Sequence, residues 1–384
     1  RRGRRKPVAS LELLVLVECG SLYWMFIGLL GVIGGILFLW YYSVIGGWSL
    51  AFVFNSVTGT FVNATAPQVI AELDSFKANT GVVSFVHTLF MGLTVFVVAR
   101  GVERGLEQAV RFMVPALLVM MLILLGYSIT SGSFGYGVQF LFTPDFSKLT
   151  WNVVLEAMGQ AFFTLSVGMG AIMAYGAYLP EETSITGASG TVVLADTSIA
   201  ILAGLVIFPL VFANGLQPDA GPGLVFQTLP LALGQMPAGA FFSTVFFVLL
   251  SFAAWTSAIG LMEPAVAWVV ESFNKTRAQA AIMVGGLIWL IGFASVFSFN
   301  IWSDVTFFRG TIFDNLGFLT NDIMLPLGGM LIAVFAGWVM CRNSTADELG
   351  GAGIVFKTWR FGVRYVAPIG VFLVLFFAIK GVLT

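Results

Sequence analysis

The chain of 384 residues is 58% hydrophobic and 15% aromatic, has only 10% charged residues and carries a formal net charge of −1. Soluble domains hold about 25% charged residues, so this composition, with a mean hydropathy of +0.96, excludes a water-soluble domain and implies a polytopic membrane protein. The near-neutral charge names no partner, because it averages a basic face with a mildly acidic one.

In chain order, Arg1-Arg2-Gly3-Arg4-Arg5-Lys6-Pro7 is a basic cluster that reads as a topology determinant rather than a nucleic-acid patch. Residues 1–21 as a whole form a basic, amphipathic cytoplasmic entry segment. No signal-peptide pattern is present, and a start at Arg1 rather than Met leads us to expect further sequence upstream. Windows of about 20 apolar residues predict nine spans, near residues 22–54, 81–100, 109–130, 155–179, 189–213, 240–270, 279–300, 313–340 and 365–383. With the first residues in the cytoplasm, all Lys and Arg fall on the inner side except Lys77, Lys148, Arg309 and Lys380. That bias predicts a cytoplasmic amino terminus and an extracellular or periplasmic carboxyl terminus. No charged or Pro-rich linker divides the spans, so residues 1–384 read as one domain. Loops 55–80, 131–154 and 214–239 contain Pro, Gly and apolar clusters, and we expect short helices there that fold back over the outer face.

The chemistry concentrates in a few positions. In the fourth span, Ser166, Gly168 and Gly170 interrupt Phe162-Phe163-Thr164-Leu165-Ser166-Val167-Gly168-Met169-Gly170. A backbone group left unpaired in hydrocarbon costs several kcal/mol, so a membrane helix opens only where protein, water, substrate or ion re-satisfies it. The alternative is a small-residue face for close helix packing. Asp196 lies among Val192, Val193, Leu194, Ile199 and Ile201, where its carboxylate would be neutral unless a cation or a cationic side chain sat beside it; its own span holds no Lys or Arg, and a bound cation is the expectation. Thr256 and Ser257 could offer oxygens to a small hard cation, or their hydroxyls could simply bond back to the preceding turn. His87, the single histidine, reads as a packed or interhelical hydrogen-bonding group. Cys19 and Cys341 lie at inner-facing positions, where we expect free thiols, and Asn63-Ala64-Thr65 is a glycosylation sequon.

Four motifs together resemble the neurotransmitter:sodium symporter family, in its bacterial amino-acid branch with the LeuT-type inverted-repeat fold. They are Tyr41-Tyr42-Ser43-Val44-Ile45-Gly46-Gly47-Trp48, Gly101-Val102-Glu103-Arg104-Gly105-Leu106-Glu107, Gly159-Gln160-Ala161-Phe162-Phe163-Thr164-Leu165-Ser166-Val167-Gly168 and Trp255-Thr256-Ser257. The resemblance implies an all-α polytopic membrane protein whose nine spans are similar to helices 3–11 of an eleven-helix transporter, with helices 1 and 2 outside this sequence. It implies a sodium-coupled importer of amino acids working by alternating access. Tyr42 would bind the substrate carboxylate, Phe163 would close over the substrate, and Thr164, Ser166, Gly168, Met169 and Ser257 would complete this chain's share of the pocket. Thr164 and Asp196 would serve a first sodium; Ala253, Thr256 and Ser257 would serve a second. Asp314 and Phe163 would belong to the outer gate, Tyr178 and Glu271 to the inner one.

Two departures from the family pattern sharpen the expectation. Asp196 stands where many members have asparagine, and Ala200 where chloride-dependent members have serine; a fixed carboxylate in place of chloride implies chloride-independent transport. Met169 replaces an aromatic residue found in some relatives, and its flexible thioether favours a hydrophobic or aromatic amino acid. Glu263 stands where glutamine is usual. An ion channel would need repeated rings around a symmetric pore, and an intramembrane enzyme lacks a nucleophile–base constellation here. A transport-inactive fragment of such a symporter is the remaining alternative. No metal beyond sodium, no chloride, no nucleic acid and no enzymatic activity are expected.

Overall fold

The computed structural model describes residues 14, 21–101, 105, 107–177, 179–180, 182–217 and 221–383. The basic start and most of the entry segment therefore lie outside the described residues. Among those described, eight helices are long and apolar enough to cross a bilayer, and a ninth segment crosses in two pieces. A chain this apolar has little choice: in lipid each amide must be paired within its own segment, and the helix achieves that.

We number the helices α1 (Phe26–Val57), α2 (Ala66–Ala78), α3 (Thr80–Ala99), α4 (Gln108–Ile129), α5 (Phe134–Phe142), α6 (Trp151–Thr164), α7 (Ala171–Ala177), α8 (Ile185–Ala213), α9 (residues 221–234), α10 (Gly239–Phe273), α11 (Arg277–Phe297), α12 (Ile312–Val339), α13 (Arg342–Glu348) and α14 (residues 354–383). Starts are written in the sequence. Asn79 Oδ1 accepts from the Val82 amide at 3.1 Å ahead of α3, and Thr276 with Gln279 forms a capping box for α11, each satisfying amides that the first turn cannot pair. The short helices expected in loops 55–80, 131–154 and 214–239 are α2, α5 and α9.

One expected boundary shifts. The last span was predicted over 365–383, but its helix begins at Ile354. Arg360 and Arg364 depress the local hydropathy, yet a long cationic side chain can stay in a membrane helix near its end by reaching the interface.

Helices α1, α3, α10 and α11 pack into a central block. Its inner layer is built from Leu39, Phe90, Met91, Ile259, Met262, Val266 and Ile288. A second layer towards the opposite end stacks Trp48, Phe52, Phe61, Phe76, Phe226 and Phe247, with the Phe52 and Phe61 rings 5.4 Å apart. His87 is buried between α3 and α11, its Nε2 3.2 Å from the Trp289 carbonyl and its ring edge-on to Phe293. It is the interhelical group expected from sequence. Against this block lies α12, and α6 and α14 pack on α12 and on each other. Helix α8 packs chiefly on α4, α5 and α9.

Candidate substrate and ion site

The interruption in the fourth span is real. Helix α6 ends at Thr164 and α7 begins at Ala171, with Ser166, Gly168 and Gly170 all at positive φ (50°, 107° and 77°). Gly168 is required twice over: its φ suits glycine, and a Cβ there would sit 2.4 Å from the Leu325 carbonyl oxygen of α12. On the other side, a Cβ on Gly31 of α1 would come within 3.0 Å of the Gly170 Cα. The break is therefore wedged between α1 and α12, and the two readings of its glycines are not exclusive: the small residues serve both the break and the packing.

The break leaves backbone groups without helical partners. The turn is closed by the amides of Leu165, Ser166 and Val167, which donate to Ala161, Phe163 and Phe162, and the second piece resumes with Ala174 donating to Gly170. Among the described residues the amides of Gly168 to Met173 donate to no backbone carbonyl, and the carbonyls of Thr164 to Met169 accept from no backbone amide. Carbonyl oxygens at the end of α6 suit a cation, and amides at the start of α7 suit an anion. A zwitterion with an accompanying cation needs that pairing.

Side chains from three other elements close around it. Phe163 lies 5.7 Å, centroid to centroid, from Phe38, which in turn is 5.1 Å from Tyr41 and 5.3 Å from Tyr42. Tyr42 reaches across to the Ser257 side chain of α10. Met169 is buried against Phe38, Tyr41, Leu261, Leu316 and Leu325. Tyr41 donates to Asn321 Oδ1 at 3.0 Å, tying the same wall to the π-helical turn Phe318–Met324 of α12. Tyr42, Phe163, Met169 and Ser257 are thus brought into one neighbourhood, along with Phe38 and Tyr41, which residue-by-residue reading passed over. Phe38 sits one helical turn before Tyr42, at i−4, and that spacing was the available signal.

The two ion positions differ. The Thr256 hydroxyl sits 2.9 Å from the Ala253 carbonyl oxygen and 3.1 Å from that of Phe252. This is back-bonding to the preceding turn, and it also gathers three oxygens of α10 beside the exposed Ser257. At the first position, Thr164 is exposed and back-bonds to Ala161 at 3.4 Å. Asp196 is half-buried and makes no hydrogen bond or ion pair among the described residues. Helix α8 carries it on a largely exposed face, and no described contact joins Asp196 to Thr164.

The gate candidates lie at opposite ends of the bundle. Asp314 is exposed and occupied locally: its Oδ2 accepts from the Thr311 amide at 2.9 Å and hydroxyl at 2.8 Å, completing the box that starts α12. Glu271 is exposed near the far end of α10. Tyr178 lies outside the described residues. At that far end the sequence reading missed a partner. Glu263, fully buried on α10, takes the Arg277 guanidinium in a two-pronged ion pair, Nη1 to Oε1 at 3.0 Å and Nη2 to Oε2, while Arg277 Nε donates to the Val98 carbonyl at 2.9 Å. One guanidinium joins the ends of α3, α10 and α11. Arg277 had been counted only as an inner-side charge, because burial of a loop cation cannot be read from hydropathy.

Comparison with known proteins agrees with this architecture. Residues 66–383 match the sodium:neurotransmitter symporter family. The chain is 35% identical over 365 residues to the uncharacterized sodium-dependent transporter YhdH of Bacillus subtilis, covering 94% of this chain and 81% of that one. It is 30% identical over 386 residues to an uncharacterized sodium-dependent transporter of Haemophilus influenzae, covering 97% and 84%. The chain belongs to the sodium:neurotransmitter symporter family. In three dimensions it is similar to the crystal structure of MhsT in complex with L-phenylalanine, with a TM-score of 0.89 and 40% identity, covering 98% of this chain and 85% of that one. As a member of this family the chain is a multi-pass, sodium-coupled symporter with the LeuT-type fold.

Proposed function

We propose that this symporter imports a hydrophobic or aromatic amino acid together with sodium, independently of chloride, through the break between α6 and α7. The observation that carries the proposal is the pairing of unbonded carbonyls and unbonded amides across that break, beside the aromatic wall of Phe38, Tyr42 and Phe163. Main-chain groups of Ser166 to Gly170, among them the amides of Gly168 to Gly170 that bond to no backbone carbonyl, hold the amino acid, and the Tyr42 hydroxyl holds its carboxylate. The apolar side chain lies against Met169 and Phe38, with Phe163 as the lid. Thr164 and Asp196 serve the first sodium; Ala253 through its carbonyl, with Thr256 and Ser257 through their hydroxyls, serves the second. The bound L-phenylalanine of MhsT supports the substrate class by likeness.

Transport follows alternating access. Sodium and substrate bind together near the midplane, the outer side shuts and the inner side opens. A sodium that shares ligands with the substrate strengthens its binding, and linkage makes the effect reciprocal. The fixed charge of Asp196 then does what a bound chloride would otherwise do, balancing the cation in a low-dielectric setting. Asp314 and Phe163 act at the outer gate, Tyr178 and Glu271 at the inner one. The end of the bundle with Arg100, Lys275, Arg277 and Arg342 is cytoplasmic, as the excess of Lys and Arg requires.

The test is uptake by whole cells or proteoliposomes of labelled phenylalanine, tryptophan, leucine and glycine, with an inward sodium gradient and then with choline replacing sodium. The proposal requires sodium-dependent uptake of the first three above glycine, unchanged when gluconate replaces chloride. Loss of uptake in gluconate would remove the charge role given to Asp196, and a preference for glycine would remove the hydrophobic pocket.

A further inference from the structure

We propose that the turn region between α12 and α14 holds a binding site for the headgroup of an anionic phospholipid, separate from the transport pathway. A cavity of about 460 Å³ is lined there by Arg342, Lys357, Arg360, Arg364, Phe361 and Tyr365, with Phe356 at its base. Four cations and no carboxylate share one concavity, and none of the four forms an ion pair among the described residues. They are close enough that Arg342 and Arg364 act electrostatically on Arg360. Like charges held together in this way leave a positive potential that an anion relieves.

The guanidinium groups are oriented from behind, which leaves donors for a ligand. Arg364 Nε donates to the Gly337 carbonyl at 2.5 Å while its Cζ lies 5.0 Å from the Trp338 ring centroid, and Trp338 Nε1 donates back to the Arg364 carbonyl at 3.2 Å. Arg360 Nη1 reaches the Thr345 hydroxyl at 3.3 Å, with its centre 5.6 Å from the Phe356 ring. Held by one edge each, both forks present their remaining N–H groups, a geometry suited to phosphate oxygens.

The surroundings select a lipid over a soluble phosphate. The cavity opens at the polar end of a membrane-length helix, and beyond Phe361 the face of α14 stays bare: Phe361, Val366, Ile369 and Phe372 are each more than half exposed. A soluble anion has no use for that ridge, whereas acyl chains lie along it while the phosphodiester sits among the arginines. Trp338 and Tyr365 stand at the level where amphipathic rings favour the membrane interface. Basic pockets between helices at a membrane surface bind acidic headgroups in this manner.

The experiment is native mass spectrometry of the detergent-solubilised full chain titrated with dioleoylphosphatidylglycerol, with dioleoylphosphatidylcholine and inorganic phosphate as separate arms. The unmodified chain retains phosphatidylglycerol in preference to phosphatidylcholine, and inorganic phosphate does not displace it. The double variant Lys357→Gln with Arg360→Gln lowers its occupancy by about tenfold or more. The charge-preserving pair Lys357→Arg with Arg360→Lys retains it, and so does Arg111→Gln with Lys275→Gln, which removes two cations elsewhere on the bundle. Equal retention by the Lys357/Arg360 double variant would overturn the proposal. So would an equal loss in the Arg111/Lys275 variant, which would mean diffuse attraction, and displacement by inorganic phosphate, which would mean a free-anion site.

Discussion

Replacing Glu263 by glutamine keeps the size of the side chain and removes the charge that answers Arg277. Glu263 is 1% and Arg277 20% exposed at the side chain, so the stranded guanidinium is only partly hydrated. Breaking a buried pair by removing one partner costs about 3–5 kcal/mol. Arg277 keeps its bond to the Val98 carbonyl and some access to water, which puts Glu263→Gln at the lower end, about 3 kcal/mol. If the chain unfolds as a unit, that lowers its melting temperature by on the order of 4 °C. Arg277→Gln removes the same two-pronged contact from the other side and is also destabilising. The double variant should recover at least about 1.5 kcal/mol of the summed losses, because groups in contact are coupled. The assay is thermal unfolding of the purified protein in one detergent, followed by tryptophan fluorescence. An unchanged melting temperature for Glu263→Gln, or additive losses in the double variant, would refute the claim that one buried guanidinium ties α3, α10 and α11 together.

Three further outcomes follow from the site. Gly168→Ala places a Cβ against the Leu325 carbonyl at a backbone angle that costs about 1–3 kcal/mol for a residue with a side chain; expected are a lower melting temperature and loss of uptake, and wild-type values for both would contradict the wedge between α1 and α12. Thr256→Ala should raise the sodium concentration for half-maximal uptake by about tenfold, with Thr256→Ser close to wild type, whereas identical sodium curves for the alanine variant would leave its hydroxyl as helix back-bonding alone. Asp196→Ala should weaken sodium and substrate binding together in equilibrium measurements, and an effect confined to one of them would break the linkage on which coupling depends.

What the sequence alone determined was whatever hydrocarbon enforces locally. Apolar length set the spans, because each must pair its own amides, and Ser166, Gly168 and Gly170 marked the break, because hydrocarbon tolerates an open helix only where something fills it. Those signals act within a few residues and survive without knowledge of neighbours. The motifs of α1, α6 and α10 carried the family and most of the candidate site for the same reason, since each sits on one short stretch. What only the tertiary structure decided was which stretches meet. Phe38 joins Phe163 to Tyr42, Gly31 admits Gly170, Arg277 is buried on Glu263, and Arg342 meets Arg360 and Arg364 around one cavity, each pairing residues from different elements or different turns of the chain. Hydropathy gave those cations one reading, as loop charges on the inner side. Packing separated them into a buried clasp and an open cluster, because the cost of a charge depends on what faces it, and that is a property of the folded bundle.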